Sequence, residues 1–389
     1  MRIKYLIAAL FALTLLFFPA GLAPAAEESA NESSGSGLET TAESGVLMDN
    51  ATGNILWSKE PDKELPMASV TKIMTSLLAN EALERGKIKL DERVTVTENA
   101  WKMGGSQIYL EPGEEMSMKE MLIAVAVGSA NDASVAVAEH IAGSEEAFVA
   151  LMNERVKEMG LNHTKFANCT GLPADNHYTS AYDMAVIFRE ALKHPVFREY
   201  SSIYRYDLRG GDFVLWNRNK LLKWYRGVDA GKTGWTDEAK YCLAATAERD
   251  GLRLISVVLG TPEPRSHFRE TIRVLNYGFA RYEVVSFAQK GDKLATVQVS
   301  KGIRDRVGVV PTSDIALAVP KGEKQHYNGQ ADLPENVGAP VKKGQKIGYF
   351  IVLRDSRETT KIPLVAQSDV PRASIVQQMY KVLNHALTK

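Results

Sequence analysis

Three short motifs in this sequence hold residues suited to acyl transfer. The first is Ser69-Val70-Thr71-Lys72. On a helix, residues three apart share a face one turn away, so the lysine amine reaches the serine hydroxyl. A serine is a poor nucleophile until a base takes its proton, and a lysine serves as that base only when neutral. The ordinary lysine pKa is about 10.4, so burial, the positive end of a helix dipole or a second cation must depress it. A chain this long is expected to hold about one such match by chance, and position gives this one its weight. Ser69 stands at the start of a predicted helix, where unpaired backbone N–H groups converge on a developing oxyanion.

The second motif is Ser129-Ala130-Asn131, in a break between two alanine-rich helical runs. A hydroxyl and an amide there can relay a proton and hold a peptide group, although the same residues read alone make a turn in which Asn131 or Asp132 caps the next helix. The third is Lys232-Thr233-Gly234, followed by Trp235 and leading into a predicted hairpin. A strand lysine and threonine bind a carboxylate, and Gly234 lets a substrate approach the backbone. Lys232 also supplies the second cation that lowers Lys72. Read alone, this run is a surface turn.

The elements that must position these groups are visible in the apolar spacing. GVLMDNATGNILWSKEP reads as a hairpin turning at Asn50–Gly53, and YCLAATAERDGLRLISVVLG as another turning at Asp250-Gly251. Ile73, Leu77, Leu78 and Leu83 mark a helix from near Ser69 to Gly86. MKEMLIAVAVGSANDASVAVAEHIAG predicts a helical pair buried on nearly every side, 144–159 an amphipathic helix stopped by Gly160, AYDMAVIFREALKHP another stopped by Pro195, and HFRETIRVLNYGFARYE one more. Strands at both ends and helices between them give an α/β domain, an antiparallel sheet covered by helices with an inserted all-helical region. After 282, short valine-rich runs form a small all-β sandwich over 283–370. Ile375, Met379, Leu383 and Leu387 then mark a C-terminal amphipathic helix over 371–389 whose basic residues suit a membrane surface.

The N-terminus sets the compartment. Arg2 and Lys4 precede an apolar run from Tyr5 to Phe18 and an Ala-x-Ala site, so 1–26 is expected to be a signal peptide, followed by a Ser/Gly/Glu-rich tether over 27–42. The working part, 43–282 and beyond, is therefore expected outside the cytoplasm. Lys plus Arg and Asp plus Glu both total 47 in 389 residues, which argues against a nucleic-acid partner. Seven scattered histidines and two cysteines form no metal motif, so neither metal nor cofactor is expected. Cys169 and Cys242 either pair or stay as buried thiols.

The three motifs in this order resemble the D-alanyl-D-alanine carboxypeptidases, the low-molecular-mass penicillin-binding proteins. The likeness runs from about Ala42 to the C-terminus and includes GLNHTKFANCTGLPADNHYTSAYDMAVI. The resemblance implies that Ser69 is acylated and Lys72 is the base. It places Ser129 and Asn131 on the cleft and lets Lys232 and Thr233 hold the substrate carboxylate. The Ser69 and Trp235 N–H groups would form the oxyanion hole. The family's carboxylate-binding arginine falls nearest His267 here, flanked by Arg265 and Arg269, and Arg265 is the candidate. The substrate implied is a peptidoglycan stem peptide ending in D-Ala-D-Ala, β-lactams act as inhibitors, and the outer face of the cytoplasmic membrane is the anchoring surface. DD-endopeptidase action is an alternative. So is a β-lactamase, since Glu158-Met159-Gly160-Leu161-Asn162 mimics a deacylating motif, although Gly160 makes it an ordinary helix stop. A non-catalytic β-lactam sensor would need neither Ser69 nor Lys72.

Overall fold

The computed structural model describes residues 37–387; the expected signal peptide and most of the tether lie outside the described residues. Five strands form an antiparallel sheet. Ser44–Asp49 pairs on one side with Ile55–Lys59 and on the other with Leu252–Thr261. Next come Lys240–Arg249 and, at the sheet edge, Val228–Thr236. The Asp250-Gly251 turn has positive φ at both residues, 51° and 80°, the handedness that lets a two-residue turn follow the strand twist.

Side chains alternate across this sheet, so its two faces bury separate cores. Val46, Met48, Ala244, Ile255 and Val257 face the helical region. Leu47, Leu243, Leu254 and Val258 face the helix Ser266–Arg281, where Gly278 allows close approach: a Cβ there would lie 2.5 Å from a Leu254 methyl. On the first face lies Lys72–Glu84, with Lys72 through Ala82 all buried. Such a helix is held by its surroundings on every side, not by one amphipathic stripe.

The helical pair has its expected break. Met118–Ile123 passes into a π-helical turn over Ala124–Gly128, Ser129 adopts a left-handed φ of 62°, and Asn131–Ala142 resumes. The capping expectation is corrected: Ala130 occupies the cap without a side-chain bond, and the Asp132 carboxylate accepts N–H bonds from Ile108 and Leu110 at 3.0 and 3.1 Å, tying down the cleft wall. Pro195 is corrected too. Helix Ala181–Ala191 ends before it, and Pro195 opens a further helix, Pro195–Ser202, at its first turn, where a missing N–H costs nothing. A short hairpin, Arg205–Leu208 with Phe213–Trp216, follows; no spacing in the sequence announces it.

In the C-terminal region, Tyr282–Ala288 pairs with Ile315–Pro320, and these two strands share a core with a six-stranded sheet through Val297, Val309, Leu317, Phe350 and Leu364. Helix Ile375–Leu387 ends the described chain with Ile375, Val376, Met379 and Tyr380 exposed. Lys381 Nζ ties its middle to the Gly302 carbonyl at 3.0 Å. Cys169 and Cys242 are separate buried thiols.

Candidate active site

Ser69 sits in a tight turn, Ala68–Thr71, that runs directly into helix Lys72–Glu84. Lys72 is 1% exposed and its Nζ lies 3.2 Å from Ser69 Oγ, 2.6 Å from Asn131 Oδ1 and 2.5 Å from the Thr170 carbonyl. Two of these neighbours are carbonyl-type oxygens that only accept. A neutral amine donates its two hydrogens to them and turns its lone pair toward the Ser69 hydroxyl. Burial lowers Lys72 to about 7, against the upward pull of Cys169 and Asp132. The expectation that Lys232 depresses Lys72 is therefore sharpened: burial dominates, and it is Lys72 whose charge helps push Lys232 down.

Asn131 is placed by the wall opposite. Its Nδ2 donates to the Gly104 carbonyl at 2.6 Å, so both ends of the amide are engaged by protein groups. Its contact is with the lysine, and the side chain is 3% exposed.

The edge strand supplies the other side. Lys232 Nζ donates to Ser129 Oγ at 2.8 Å and to the Thr233 carbonyl at 2.8 Å. Burial holds Lys232 well below the usual lysine range, followed by the charges of Lys72 and Arg218. Gly234 lies against the serine turn, where a Cβ would stand 2.7 Å from the Met67 carbonyl. Trp235 is 54% exposed at the rim.

In front of these groups a recess of about 490 Å³ is lined by Ser69, Ser129, Thr233, Gly234, Trp235 and Arg265. It adjoins a larger cleft of about 720 Å³ walled by Tyr109, Leu172, Phe213, Trp216 and Trp235. All nine residues singled out from the sequence thus converge here. Arg265 opens helix Ser266–Arg281 at φ 66° and lines the recess together with His267, which stacks on Tyr241, whereas Arg269 turns to Glu263. Three participants carry no motif. Arg218 lines both cavities, the Thr170 carbonyl holds Lys72, and Gly171 packs so closely that a Cβ would meet the Ala68 carbonyl at 2.0 Å. Only Gly171, inside Cys-Thr-Gly-Leu-Pro, leaves a trace in the sequence, as a glycine in a turn.

Comparison with known proteins decides the lineage. Residues 28–263 match the family described as D-alanyl-D-alanine carboxypeptidase, and residues 282–372 match the penicillin-binding protein 5 C-terminal domain. The chain belongs to the D-alanyl-D-alanine carboxypeptidase family. Among its relatives, D-alanyl-D-alanine carboxypeptidase DacF of Bacillus subtilis is 41% identical, covering 87% of this chain and 88% of that protein. DacA of Escherichia coli is 34% identical over 86% of this chain and 84% of its own length. The crystal structure of penicillin binding protein 5 from Haemophilus influenzae superposes with a TM-score of 0.72 at 34% identity, covering 86% of this chain and 98% of the other. As a member, this carboxypeptidase is a serine peptidase with peptidoglycan stem peptides as substrates. The β-lactamase-like Glu158 stands elsewhere: it pairs with Arg155 at 3.2 Å and lines a groove with Leu78, Glu81 and Arg85, outside the Ser69 cleft.

Proposed function

We propose that this carboxypeptidase releases the terminal D-alanine of stem pentapeptides through an ester on Ser69, with Lys72 as general base. The observation that carries this reading is the three-way seating of Lys72 Nζ between Ser69 Oγ, Asn131 Oδ1 and the Thr170 carbonyl. Neutral Lys72 takes the Ser69 proton as Oγ attacks the carbonyl carbon of the penultimate D-alanine. The oxyanion that forms is held by the N–H groups of Ser69 and Trp235. When the C–N bond breaks, the departing amine takes a proton from the Ser129 hydroxyl, which Lys232 backs at 2.8 Å, and the Lys72 ammonium returns its proton to Ser129, so both groups are restored. Water then attacks the ester, neutral Lys72 takes its proton, and that proton passes to Ser69 Oγ as the ester bond breaks. Thr233, Arg265 and Arg218 line the recess that would receive the substrate carboxylate, and Lys232 Nζ is bonded to two groups of its wall, Ser129 Oγ and the Thr233 carbonyl.

A β-lactam presents the same kind of carbonyl and leaves an ester on the same oxygen. Mass spectrometry of the protein exposed to penicillin is expected to find one adduct, on Ser69, absent in Ser69→Ala; release of D-alanine from a pentapeptide should vanish with it. An adduct on another residue would overturn the assignment.

The proposed setting is the outer face of the cytoplasmic membrane. The charged, apolar and small-residue order of positions 1–26 supports export. The exposed Ile375, Val376, Met379 and Tyr380, beside Arg372 and Lys381, support surface attachment by the last helix. No helix among the described residues is long and apolar enough to cross a membrane.

A further inference from the structure

His177 lies outside the three motifs, yet its ring is bonded to the turn that carries the nucleophile. The Ala167 N–H donates to His177 Nδ1 at 2.9 Å, which leaves that nitrogen unprotonated and puts the ring hydrogen on Nε2. Nε2 stands 2.8 Å from Thr71 Oγ1 and so donates to it. The Thr71 hydroxyl in turn donates to the Ala68 carbonyl at 2.8 Å. All of these side chains are buried, with Thr71 at 0% and His177 at 7% exposure, and Phe166 packs edge-on against the ring. Burial, and next the charge of Lys72, hold the imidazole down at about 4, in keeping with a neutral ring that has one donor and one acceptor.

The last link in this chain is the informative one. Ala68 has a φ of 47°, a left-handed conformation that is disfavoured for a residue with a Cβ and persists only where neighbours enforce it. The Ala68 carbonyl and the Ser69 N–H belong to one planar trans peptide unit and point in opposite directions. Whatever fixes the carbonyl also aims the N–H. Gly171 closes on that carbonyl from one side, and the Thr71 hydroxyl bonds it.

We propose that His177 is a positioning residue for the oxyanion hole: through Thr71 and the Ala68 carbonyl it aims the Ser69 N–H at the place where negative charge develops. This rests on the reading of that N–H as an oxyanion donor. No proton is transferred along the chain; His177 acts by orienting the Thr71 hydroxyl, which otherwise has other rotamers to choose.

The test uses the full chain with three single variants, His177→Leu, His177→Gln and Thr71→Val, and the double variant of His177→Leu with Thr71→Val, each checked by thermal melting. Each is assayed for acylation by a fluorescent penicillin and for affinity toward a peptidyl boronic acid, which forms a tetrahedral adduct on serine. Glutamine can accept from Ala167 N–H and donate to Thr71, so His177→Gln should stay within about threefold of wild type. Loss of one oxyanion donor slows catalysis about 100- to 1,000-fold, and a misaimed donor should cost part of that. His177→Leu and Thr71→Val should therefore acylate about 10- to 100-fold more slowly and bind the boronate correspondingly more weakly, with reversible binding of the penicillin little changed. The double variant should be no worse than the poorer single one, because both break the same chain. Wild-type acylation in folded His177→Leu, additive losses in the double variant, or a glutamine variant as impaired as leucine would each overturn the proposal. A wild-type enzyme that binds the boronate no tighter than a substrate peptide would instead overturn the oxyanion reading itself.

Discussion

At the scale of single residues, the proposed chemistry turns on one amine. Lys72 is lowered to about 7 by burial, and the base role proposed for it belongs to the neutral form. The sign follows directly: protonation as the pH falls through 7 removes the base, and deprotonation above it restores the base. Acylation of Ser69 by penicillin, followed by stopped-flow fluorescence, should rise tenfold per pH unit below about 7 and level off above. A midpoint near the ordinary lysine value of about 10.4 would contradict the burial argument. Asn131 offers a second handle, because its Oδ1 lies 2.6 Å from the amine. Asn131→Asp places a carboxylate there, which favours the ammonium form, so the same profile should move upward by one unit or more and the rate at pH 7 should fall at least about fivefold. An unmoved midpoint would show that the amide is not coupled to the base.

At the scale of elements, the serine turn is fitted between the edge strand and the Thr170-Gly171 segment with almost no clearance. Gly171→Ala would put a methyl 2.0 Å from the Ala68 carbonyl, at a φ of 86° that disfavours any Cβ. The expected cost is roughly 2–4 kcal/mol in urea unfolding, with Ser69 labelling reduced beyond what unfolding explains. Equal stability and labelling would mean that the turn moves freely. This fit is also where the sequence became hard to read. Spacing exposed the helix from Lys72 and both long hairpins, because burial of one face imposes a period on the residues. The Thr170 carbonyl is a backbone atom, and Arg218 rides on a loop whose course is set by Asn217 and Asn219, whose side-chain oxygens accept from the N–H groups of Asn219 and Leu221 at 2.8 and 3.1 Å. Neither depends on a recurring side-chain pattern, so neither left one. Pro195 misled for a related reason: a residue that ends helices also begins them, and only the intervening turn tells which.

At the scale of the whole molecule, the attachment surface proposed for the last helix lies in a different region from the Ser69 cleft. The exposed apolar side chains of helix Ile375–Leu387 belong to neither the helical core nor the β-region core. Removing residues from Pro371 onward should abolish sedimentation with vesicles of anionic phospholipid while leaving turnover of a soluble pentapeptide within about twofold of the intact chain. Ile375→Asp with Met379→Asp should do the same by placing charge on that face. Retained vesicle binding in both would locate the attachment elsewhere. The order of regions was legible from composition alone, since helical spacing gives way to short valine runs near residue 282 and returns at the tail. How the nine candidate site residues meet in space was not, because separate stretches of chain contribute them.

The buried seat of Lys72 has a consequence for timing. In an extended chain its amine is solvated, with a pKa of about 10.4, and carries a proton almost all the time at neutral pH. Only when Asn131 and Thr170 close around it does the amine lose water and reach the neutral form that the proposed mechanism requires. On that mechanism the nucleophile is switched on by folding itself. A nascent chain, or one crossing a membrane unfolded, is inert toward substrate and antibiotic alike, and covalent labelling by a β-lactam counts the molecules that have completed their fold.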